Sequence, residues 1–241
     1  MSIRIFMSLL ALCAALALVP EPAAEAQKPA ADPAKPSRSA NSEAAERLTL
    51  AAQLAEEGRR TGSAVELAAA AELLASTSVK DRDMAKTEVG APGDQAAPAE
   101  GGPEPPLSGT AADLFAEAAA LARAASNEPL AAQIELSANA AGSRQPSPGD
   151  GGRHRDTVRP GTTDIYSVRY NANELARATV IAGGDFDLDI YVYDPSGTLV
   201  AYDNDSTSIG ICVWIPPQTG EYKLGVKNTT SSQVNYLIFT N

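Results

Sequence analysis

The sequence predicts an antiparallel β-sandwich at the carboxy-terminal end, preceded by an alanine-rich α-helical region and disordered linkers. All tyrosines and the one tryptophan lie after residue 160, where β-branched and aromatic residues replace alanine. Apolar and polar residues alternate with a period of two through residues 185–193 and 221–227, which is typical of strands with one buried face. Between residues 43 and 140, apolar residues instead recur at helical spacing.

The first 26 residues have the layout of a secretory signal peptide. Arg4 precedes an apolar run over residues 5–19, and Ala24-Glu25-Ala26 follows a proline-containing break. We therefore expect cleavage after Ala26 and export to the periplasm or the cell exterior. Cys13 lies inside the apolar run rather than at its end, which disfavours lipidation. The run is shorter than the roughly 20 residues of a membrane span, so no transmembrane segment is expected.

Charge and cysteine content restrict the partners and the chemistry. The formal net charge of −11 repels nucleic acid and anionic lipid, and leaves cations and basic surfaces as compatible partners. Once the signal peptide is removed, Cys212 is the one remaining cysteine, so the fold has no internal disulfide. Cys212 lies in a strand-like apolar run, and we predict a buried, inert thiol.

The helical region is predicted as two hairpins between flexible segments. Residues 27–41 form a disordered tether, and residues 42–77 form a hairpin with Ser42 as the first N-cap and helices over 43–57 and 64–76. Residues 78–109 form a linker. A second hairpin covers residues 110–140, with helices up to residue 125 and over 130–140, and residues 141–156 form another linker.

The two hairpins resemble each other at a constant offset of 63 residues, because 67–69 and 72–73 match 130–132 and 135–136. This similarity indicates a degenerate repeat of tetratricopeptide-like length, although the aromatic positions of that pattern are missing. The alternative is a small alanine-rich bundle, or helices that fold only in part because they have few large side chains to bury.

Residues 157–241 are predicted to form the sandwich. Short strands separated by Gly, Asn, Asp and Pro turns are typical of this architecture. The seven candidate strands cover residues 164–170, 175–182, 187–193, 198–202, 209–215, 221–227 and 234–240. In the sixth, Tyr222, Leu224 and Val226 are expected to face inward, and Glu221, Lys223 and Lys227 to face water.

An ordered set of motifs resembles a known family. The motifs are Asp187-Leu188-Asp189-Ile190-Tyr191-Val192, Asp194-Pro195-Ser196-Gly197, Asp203-Asn204-Asp205, Trp214-Ile215-Pro216, Thr219-Gly220-Glu221-Tyr222 and Val226-Lys227-Asn228. In this order they resemble bacterial pre-peptidase C-terminal domains. The resemblance implies a jelly-roll-like sandwich, of a kind appended to secreted peptidases and other exported proteins. Some members bind calcium and some hold a polymeric substrate, but no peptidase domain precedes the motifs here.

The candidate metal site is a group of aspartates that we expect to bind Ca²⁺. Asp185, Asp187 and Asp189 alternate along one strand, and Asp203 and Asp205 lie on a nearby loop. Calcium prefers several oxygen ligands in a flexible arrangement, which these carboxylates offer. The alternative is that they are solvated, or cap turns by accepting backbone N–H groups.

The sequence offers little for catalysis. His154, the only histidine, lies between two arginines beside a predicted linker, where we expect it to be solvated. A serine or cysteine triad and a His/Cys zinc site would both need further imidazoles or thiols. We therefore predict that the protein is not an enzyme.

These observations favour an exported, non-catalytic binding or accessory protein with an unidentified protein or polysaccharide partner. If Leu188, Ile190 and Val192 face the core, parity places Tyr191 and Tyr193 on the outer face, where aromatic rings can bind sugars or peptides. The alternative is a structural or envelope-associated protein, in which the sandwich aids export or stability of the helical region.

Overall fold

The computed structural model contains four helices and ten strands in the part of the chain that it describes, residues 36–90 and 102–241. The predicted signal peptide and most of the predicted tether at 27–41 lie outside these residues. The helices are α1 (Ala40–Thr61), α2 (Ala64–Ala75), α3 (Ala111–Ala124) and α4 (Glu128–Ala141). They pack as two hairpins, as predicted from their spacing, and no described helix is long and apolar enough to cross a membrane.

Helix α1 begins earlier than predicted. Its N-cap is Ser39, whose side chain accepts the Ser42 amide, while the Ser42 hydroxyl caps the Ser39 amide in return. Ser42 is therefore the third helical residue and not the N-cap. A reciprocal serine pair satisfies two of the free N–H groups at a helix start, so the helix extends back to Ala40.

The strands form two five-stranded sheets. The strands are β1 (Thr77–Asp81), β2 (Lys86–Val89), β3 (Ser147–Val158), β4 (Thr163–Tyr170), β5 (Ala176–Ala182), β6 (Leu188–Tyr193), β7 (Leu199–Asp203), β8 (Ile209–Trp214), β9 (Gly220–Asn228) and β10 (Val234–Thr240). Sheet 1 has the order β1-β3-β10-β5-β8, and sheet 2 has the order β2-β4-β9-β6-β7. Each of the seven predicted strands is confirmed to within one residue at either end. The antiparallel-rich sheets pack as the predicted β-sandwich.

The segment predicted as a linker at 78–109 instead contributes an edge strand to each sheet. Strand β1 pairs in parallel with β3, and β2 pairs antiparallel with β4. We name residues 77–89 the strap, because they cross from the edge of sheet 1 to the edge of sheet 2. The strap is rich in charged residues because an edge strand needs backbone pairing more than an apolar face.

The linker predicted at 141–156 is also wrong, because β3 runs through it and the sandwich begins before residue 157. Its glycines serve close packing. A Cβ on Gly149 would lie 2.3 Å from the Ala40 carbonyl oxygen, and one on Gly151 would lie 2.4 Å from Leu48 Cδ1. The missing side chains therefore let α1 lie directly against β3, whereas a sequence rich in Gly and Pro is more often flexible.

The helices cover the outer face of sheet 1. Ile181, Leu237 and Phe239 of sheet 1 are fully buried in one apolar cluster with residues from all four helices. A second cluster, which includes Tyr222, Leu224 and Val226, fills the space between the sheets, as predicted. The layers are therefore helices, sheet 1 and sheet 2, and the outer face of sheet 2 lies on the opposite side.

Cys212 and Trp214 both lie in the core. Cys212 is buried on β8, which confirms the predicted burial, and burial raises the pKa of its thiol to about 12. Trp214 packs edge-on against Tyr170, with ring centroids 4.7 Å apart.

Candidate functional site

The outer face of sheet 2 carries exposed tyrosines. Alternation along β6 buries Leu188, Ile190 and Val192 and turns Tyr191 and Tyr193 outward, as predicted from parity. Tyr202 of β7 lies directly opposite Tyr191 and is 59% exposed. We name Tyr191, Tyr193 and Tyr202 the tyrosine face.

Two of these rings form a platform. The rings of Tyr191 and Tyr202 are 6.5 Å apart between centroids, and their planes differ by 17°. On the other side of Tyr191 lies Gly225 of β9, where an added Cβ would meet only Thr163 and Tyr191 at ordinary contact distances. Gly225 is itself buried, so Tyr191 packs closely over the middle of the sheet on this side, and its ring is accessible only in part.

Polar groups surround the platform. The Tyr191 hydroxyl donates to Asp189 Oδ2 at 2.8 Å, and Lys227 Nζ lies 3.8 Å from the same oxygen. Partial burial and the Asp189 carboxylate raise the pKa of Tyr191 to about 12. The hydroxyl therefore stays protonated at neutral pH. Lys223 of β9 lies across from Tyr193 and contacts Ser167 Oγ.

The predicted calcium ligands are only partly brought together. Asp185 is exposed and lines a cleft of about 520 Å³ together with Arg59 and Glu117. Asp187 is half-buried, with Oδ2 accepting from Thr229 Oγ1 at 3.4 Å and Oδ1 buried without a hydrogen-bond partner among the described residues. Asp189 is buried against Tyr191.

The two loop aspartates cap local groups. Asp203 Oδ2 accepts the Ile211 amide of β8 at 2.8 Å, and Asp203 Oδ1 accepts the Asp205 amide at 3.3 Å. Asp205 Oδ1 accepts the Thr207 hydroxyl at 2.6 Å. These bonds match the alternative reading, in which the carboxylates cap turns.

Four of the five carboxylates are nevertheless close enough for their charges to interact, because Asp189, Asp203 and Asp205 all act on Asp187. Burial raises the pKa of Asp187, and the charges of Asp189, Asp205 and Asp203 raise it further. Carboxylate oxygens suit calcium, and the unpartnered Asp187 Oδ1 is an available ligand atom. In residues 36–90 and 102–241, however, no three His, Cys, Asp or Glu side chains lie together as a metal-binding group. Calcium binding at the predicted aspartates stays a prediction.

Sequence reasoning missed a partly buried polar cluster at the strap edge of the sandwich. Lys86 Nζ of β2 lies 2.8 Å from Asp156 Oδ1 of β3 and 3.1 Å from Asp164 Oδ2 of β4. The Tyr166 hydroxyl donates to Asp156 Oδ2 at 2.9 Å, and the Tyr236 hydroxyl donates to Asp164 Oδ2 at 2.7 Å. We name these five residues the clamp, because they join strands of both sheets. Asp164 shares its parity with the inward-facing Tyr166, which was the available sequence signal.

The two carboxyl groups of the clamp have pKa values that are shifted in opposite directions. Burial works against ionisation of Asp156, but its bonds to His154 and Lys86 outweigh burial and hold the pKa well below the usual range. Burial raises the pKa of Asp164, which has no exposed surface, despite its bonds to Tyr236 and Lys86. The clamp therefore has one firmly ionised carboxylate and one that is easier to protonate.

His154 is buried, although we predicted that it would be solvated. Its Nδ1 lies 2.9 Å from the Arg82 carbonyl oxygen of the strap, and its Nε2 lies 3.4 Å from Asp156 Oδ2. Its ring packs edge-on against Tyr166. The prediction failed because the neighbouring segments are strands and not linkers, so residue 154 points between the sheets.

Comparison with known families identifies part of the sandwich. A family model described as "Bacterial pre-peptidase C-terminal domain" matches residues 162–228. The resemblance predicted from the sequence is thus confirmed over this range. The matched stretch contains β4 to β9, and β1, β2, β3 and β10 lie outside it.

Solved structures give weaker likenesses. The periplasmic inhibitor of g-type lysozyme PliG from Aeromonas hydrophila is 18% identical, with a TM-score of 0.30, over 38% of this chain and 84% of that chain. A de novo designed double-stranded β-helix is 16% identical, with a TM-score of 0.25, over 37% of this chain and 97% of that chain. TM-scores this low carry no information about function. No curated protein matches the chain.

Proposed function

We propose that the protein is an exported, non-catalytic binding module whose tyrosine face holds a polysaccharide. The observation that supports this most strongly is the Tyr191–Tyr202 platform on the outer face of sheet 2, in which Tyr202 is exposed and Tyr191 is half-buried. The outer face of sheet 1 is covered by the helices, so sheet 2 offers the open surface of the sandwich.

The chemistry of the tyrosine face suits sugars. The C–H groups on one face of a sugar ring pack against an aromatic ring, and hydroxyl groups at the rim need donors and acceptors. The exposed Lys223 and Lys227 supply donors beside the rings, and the tyrosine hydroxyls can both donate and accept. A protein surface is the competing occupant, and the experiment below separates the two.

A non-catalytic role agrees with the state of the two most reactive side chains. The His154 ring nitrogens are both engaged, by Arg82 and Asp156, and lie inside the sandwich. The buried Cys212 thiol has a raised pKa and stays protonated at neutral pH. Neither residue is available as a base or nucleophile for an external substrate.

Binding is tested by retention of the mature chain on insoluble chitin, cellulose and peptidoglycan. We expect retention on at least one polymer, loss of about tenfold or more in Tyr191→Ala/Tyr202→Ala, and retention in Tyr202→Phe because the ring remains. Val65→Ala, which shortens an exposed side chain on α2, is the matched control. If no polymer retains the wild-type chain, or the double variant binds as well as wild type, the proposal is rejected.

The shared core supports a second candidate, in which the sandwich serves to stabilise the helices. Leu48 and Leu67 of the first hairpin lie in the same cluster as Leu237 and Phe239 of sheet 1. Under this candidate, the helices carry the interaction. The tyrosine variants would then leave co-purification of partner proteins unchanged, whereas substitutions on exposed helix surfaces would abolish it.

We propose that Asp187 is a ligand of Ca²⁺, because its Oδ1 has no hydrogen-bond partner among the described residues and its neighbours are acidic. Added Ca²⁺ should raise the Tm of the full mature chain, and Asp187→Asn should abolish the rise. Asp185→Asn is the control. Asp185 lines a cleft that Asp187 does not line, so this substitution should leave the rise in Tm intact. An unchanged Tm in the wild-type chain would count against calcium.

Export is part of the proposal and has a direct test. The predicted cleavage site places Gln27 at the amino terminus of the mature protein. Amino-terminal sequencing of protein recovered from the periplasm or medium should begin at this residue. Recovery of the uncleaved chain from the cytoplasm would reject export.

A further inference from the structure

A small polar cavity lies at a corner of the sandwich and shares no lining residue with the tyrosine face, although Arg169 lies on the same outer face of sheet 2. Its volume is about 180 Å³, below the roughly 300–1,000 Å³ of pockets for drug-sized ligands. It lies where α1, the strap and the β4–β5 turn meet, and the residues that line it include Asn41, Arg82, Arg169, Tyr170, Asn171 and Glu174. A space of this size suits one small charged group.

The two arginines that line this cavity differ from the other described arginines. Neither Arg82 nor Arg169 forms an ion pair or a side-chain hydrogen bond within residues 36–90 and 102–241. Arg47 bonds to serine hydroxyls, and the remaining described arginines lie in ion pairs. In a chain with a net charge of −11, two guanidinium groups that line one cavity and form no ion pair among the described residues are available to bind another anion.

Arg82 is held in place by its surroundings. Its backbone N–H donates to the Arg153 carbonyl at 2.7 Å, and its own carbonyl oxygen lies 2.9 Å from His154 Nδ1. Its side chain lies over Gly152, where an added Cβ would be 2.5 Å from Arg82 Nε. The positive charge of Arg82 also opposes the effect of burial, which raises the pKa of the adjacent Tyr170. The backbone of Arg82 is thus fixed by two hydrogen-bonding contacts, and its side chain lies against Gly152.

The cavity has the charge balance for a single negative group. Arg82 and Arg169 bring two positive charges, and the Glu174 carboxylate, which accepts from Asn171 Nδ2 at 3.0 Å, brings one negative charge. The first turn of α1 contributes Asn41, so the positive end of the helix dipole adds to the field. A monoanion balances this set better than a dianion.

We propose that this cavity binds a carboxylate group, with Arg82 and Arg169 as its donors. Guanidinium groups present N–H pairs that match the two oxygens of a carboxylate. The carboxylate can belong to an acidic sugar or to an acidic peptide, and both would present the same group to the two arginines. The site is independent of the tyrosine face, so either can fail without the other.

The test is an NMR titration of the full mature chain with sodium acetate, sodium D-glucuronate and N-acetylglutamate α-amide. We expect saturable shifts of the Arg82, Gly152 and Asn171 amides, and no shifts with neutral glucose. Tighter binding of glucuronate assigns the group to a sugar, tighter binding of the glutamate derivative to a peptide, and equal binding to the carboxylate alone. Each of these results supports the proposal.

Variants decide whether the arginines are responsible. Arg82→Gln and Arg169→Gln should each weaken binding by about tenfold or more, and Arg82→Gln keeps the backbone bonds of the strap. Arg60→Gln is the control, because Arg60 is exposed and pairs with Glu57. Absence of saturable shifts, unchanged affinity in both cavity variants, or tighter binding of phosphate than of acetate would overturn the proposal.

Discussion

The outer faces of the two sheets have opposite chemistry. On sheet 1, Ile181, Leu237 and Phe239 point outward and are fully buried beneath the helices. On sheet 2, the outward positions carry Tyr193 and Lys223, which are exposed. A sandwich strand buried on both faces needs apolar residues at consecutive positions, whereas a strand with one wet face alternates. The two sheets therefore differ in what they bind: one binds the helices and the other is open to a ligand.

This difference explains why the helices and the sandwich form one unit. The buried helical surface is mostly alanine, which contributes little apolar area for each residue. The large side chains of sheet 1 supply the area that a free alanine-rich bundle would lack. We therefore expect the stability of the helices to depend on sheet 1, and not on sheet 2.

The largest expected effect is at the covered face. Phe239→Ala should lower the free energy of unfolding by about 3–5 kcal/mol, because it opens a cavity between sheet 1 and the helices. The matched change on the open face, Tyr193→Ala, should cost less than about 1 kcal/mol. Urea denaturation followed by circular dichroism measures both. Equal costs would contradict the distinction between the faces.

The clamp sharpens the comparison, because it ties the two sheets together. Lys86→Met should cost about 2–3 kcal/mol, since Asp156 and Asp164 would face each other without their shared cation. Lys80→Met, on an exposed part of the strap, is the control and should cost less than about 0.5 kcal/mol. A cost at Lys86 no larger than the control would show that the clamp does not join the sheets.

The sequence predicted the strands better than their packing. Alternation in sheet 2 located β6 and β9 and oriented Tyr191 and Tyr222 correctly. The predicted strand at 234–240 contains a continuous apolar run, Tyr236-Leu237-Ile238-Phe239, which indicates that both of its faces are buried and was not interpreted in this way. Here the signal was present in the sequence and was missed.

Other features had no local signal. The sequence of the strap is typical of a linker. Its two strands form because their backbones pair with β3 and β4, and not because of a pattern in their own side chains. The pairing of Lys86 with Asp156 joins residues 70 positions apart, which no local pattern reveals. The site residues were partly predictable: the outward direction of Tyr191 follows from parity, whereas the stacking of Tyr202 on Tyr191 depends on register.

A smaller effect is expected at the edge where β7 and β8 meet. Asp203→Ala should cost about 1–2 kcal/mol, because the Ile211 amide loses its acceptor at the edge of sheet 1. Asp205→Ala removes only a bond to the Thr207 hydroxyl and should cost less. Thermal unfolding of both variants without calcium measures the difference. A larger loss in Asp205→Ala would contradict the capping role of Asp203.

The smallest expected effect is a pH dependence of the unfolding free energy, caused by titration of His154 between the sheets. Burial lowers the pKa of His154, but its bonds to Asp156 and the Arg82 carbonyl, with the charge of Asp83, outweigh burial and raise it above 6.5. A raised folded-state pKa stabilises the fold below the unfolded value, and that stability is lost as pH rises through the folded value. The unfolding free energy should fall above pH 6.5, and less so in His154→Gln. Identical pH profiles would contradict this.

The division of roles between the sheets is tested most directly by hydrogen exchange of the mature chain, with and without soluble fragments of a polysaccharide that retains it. We expect added protection in β6, β7 and β9 around Tyr191 and Tyr202, and unchanged exchange in α1, β5 and β10. Protection confined to the helices, with the tyrosine face unchanged, would contradict the assignment of sheet 2 as the binding surface.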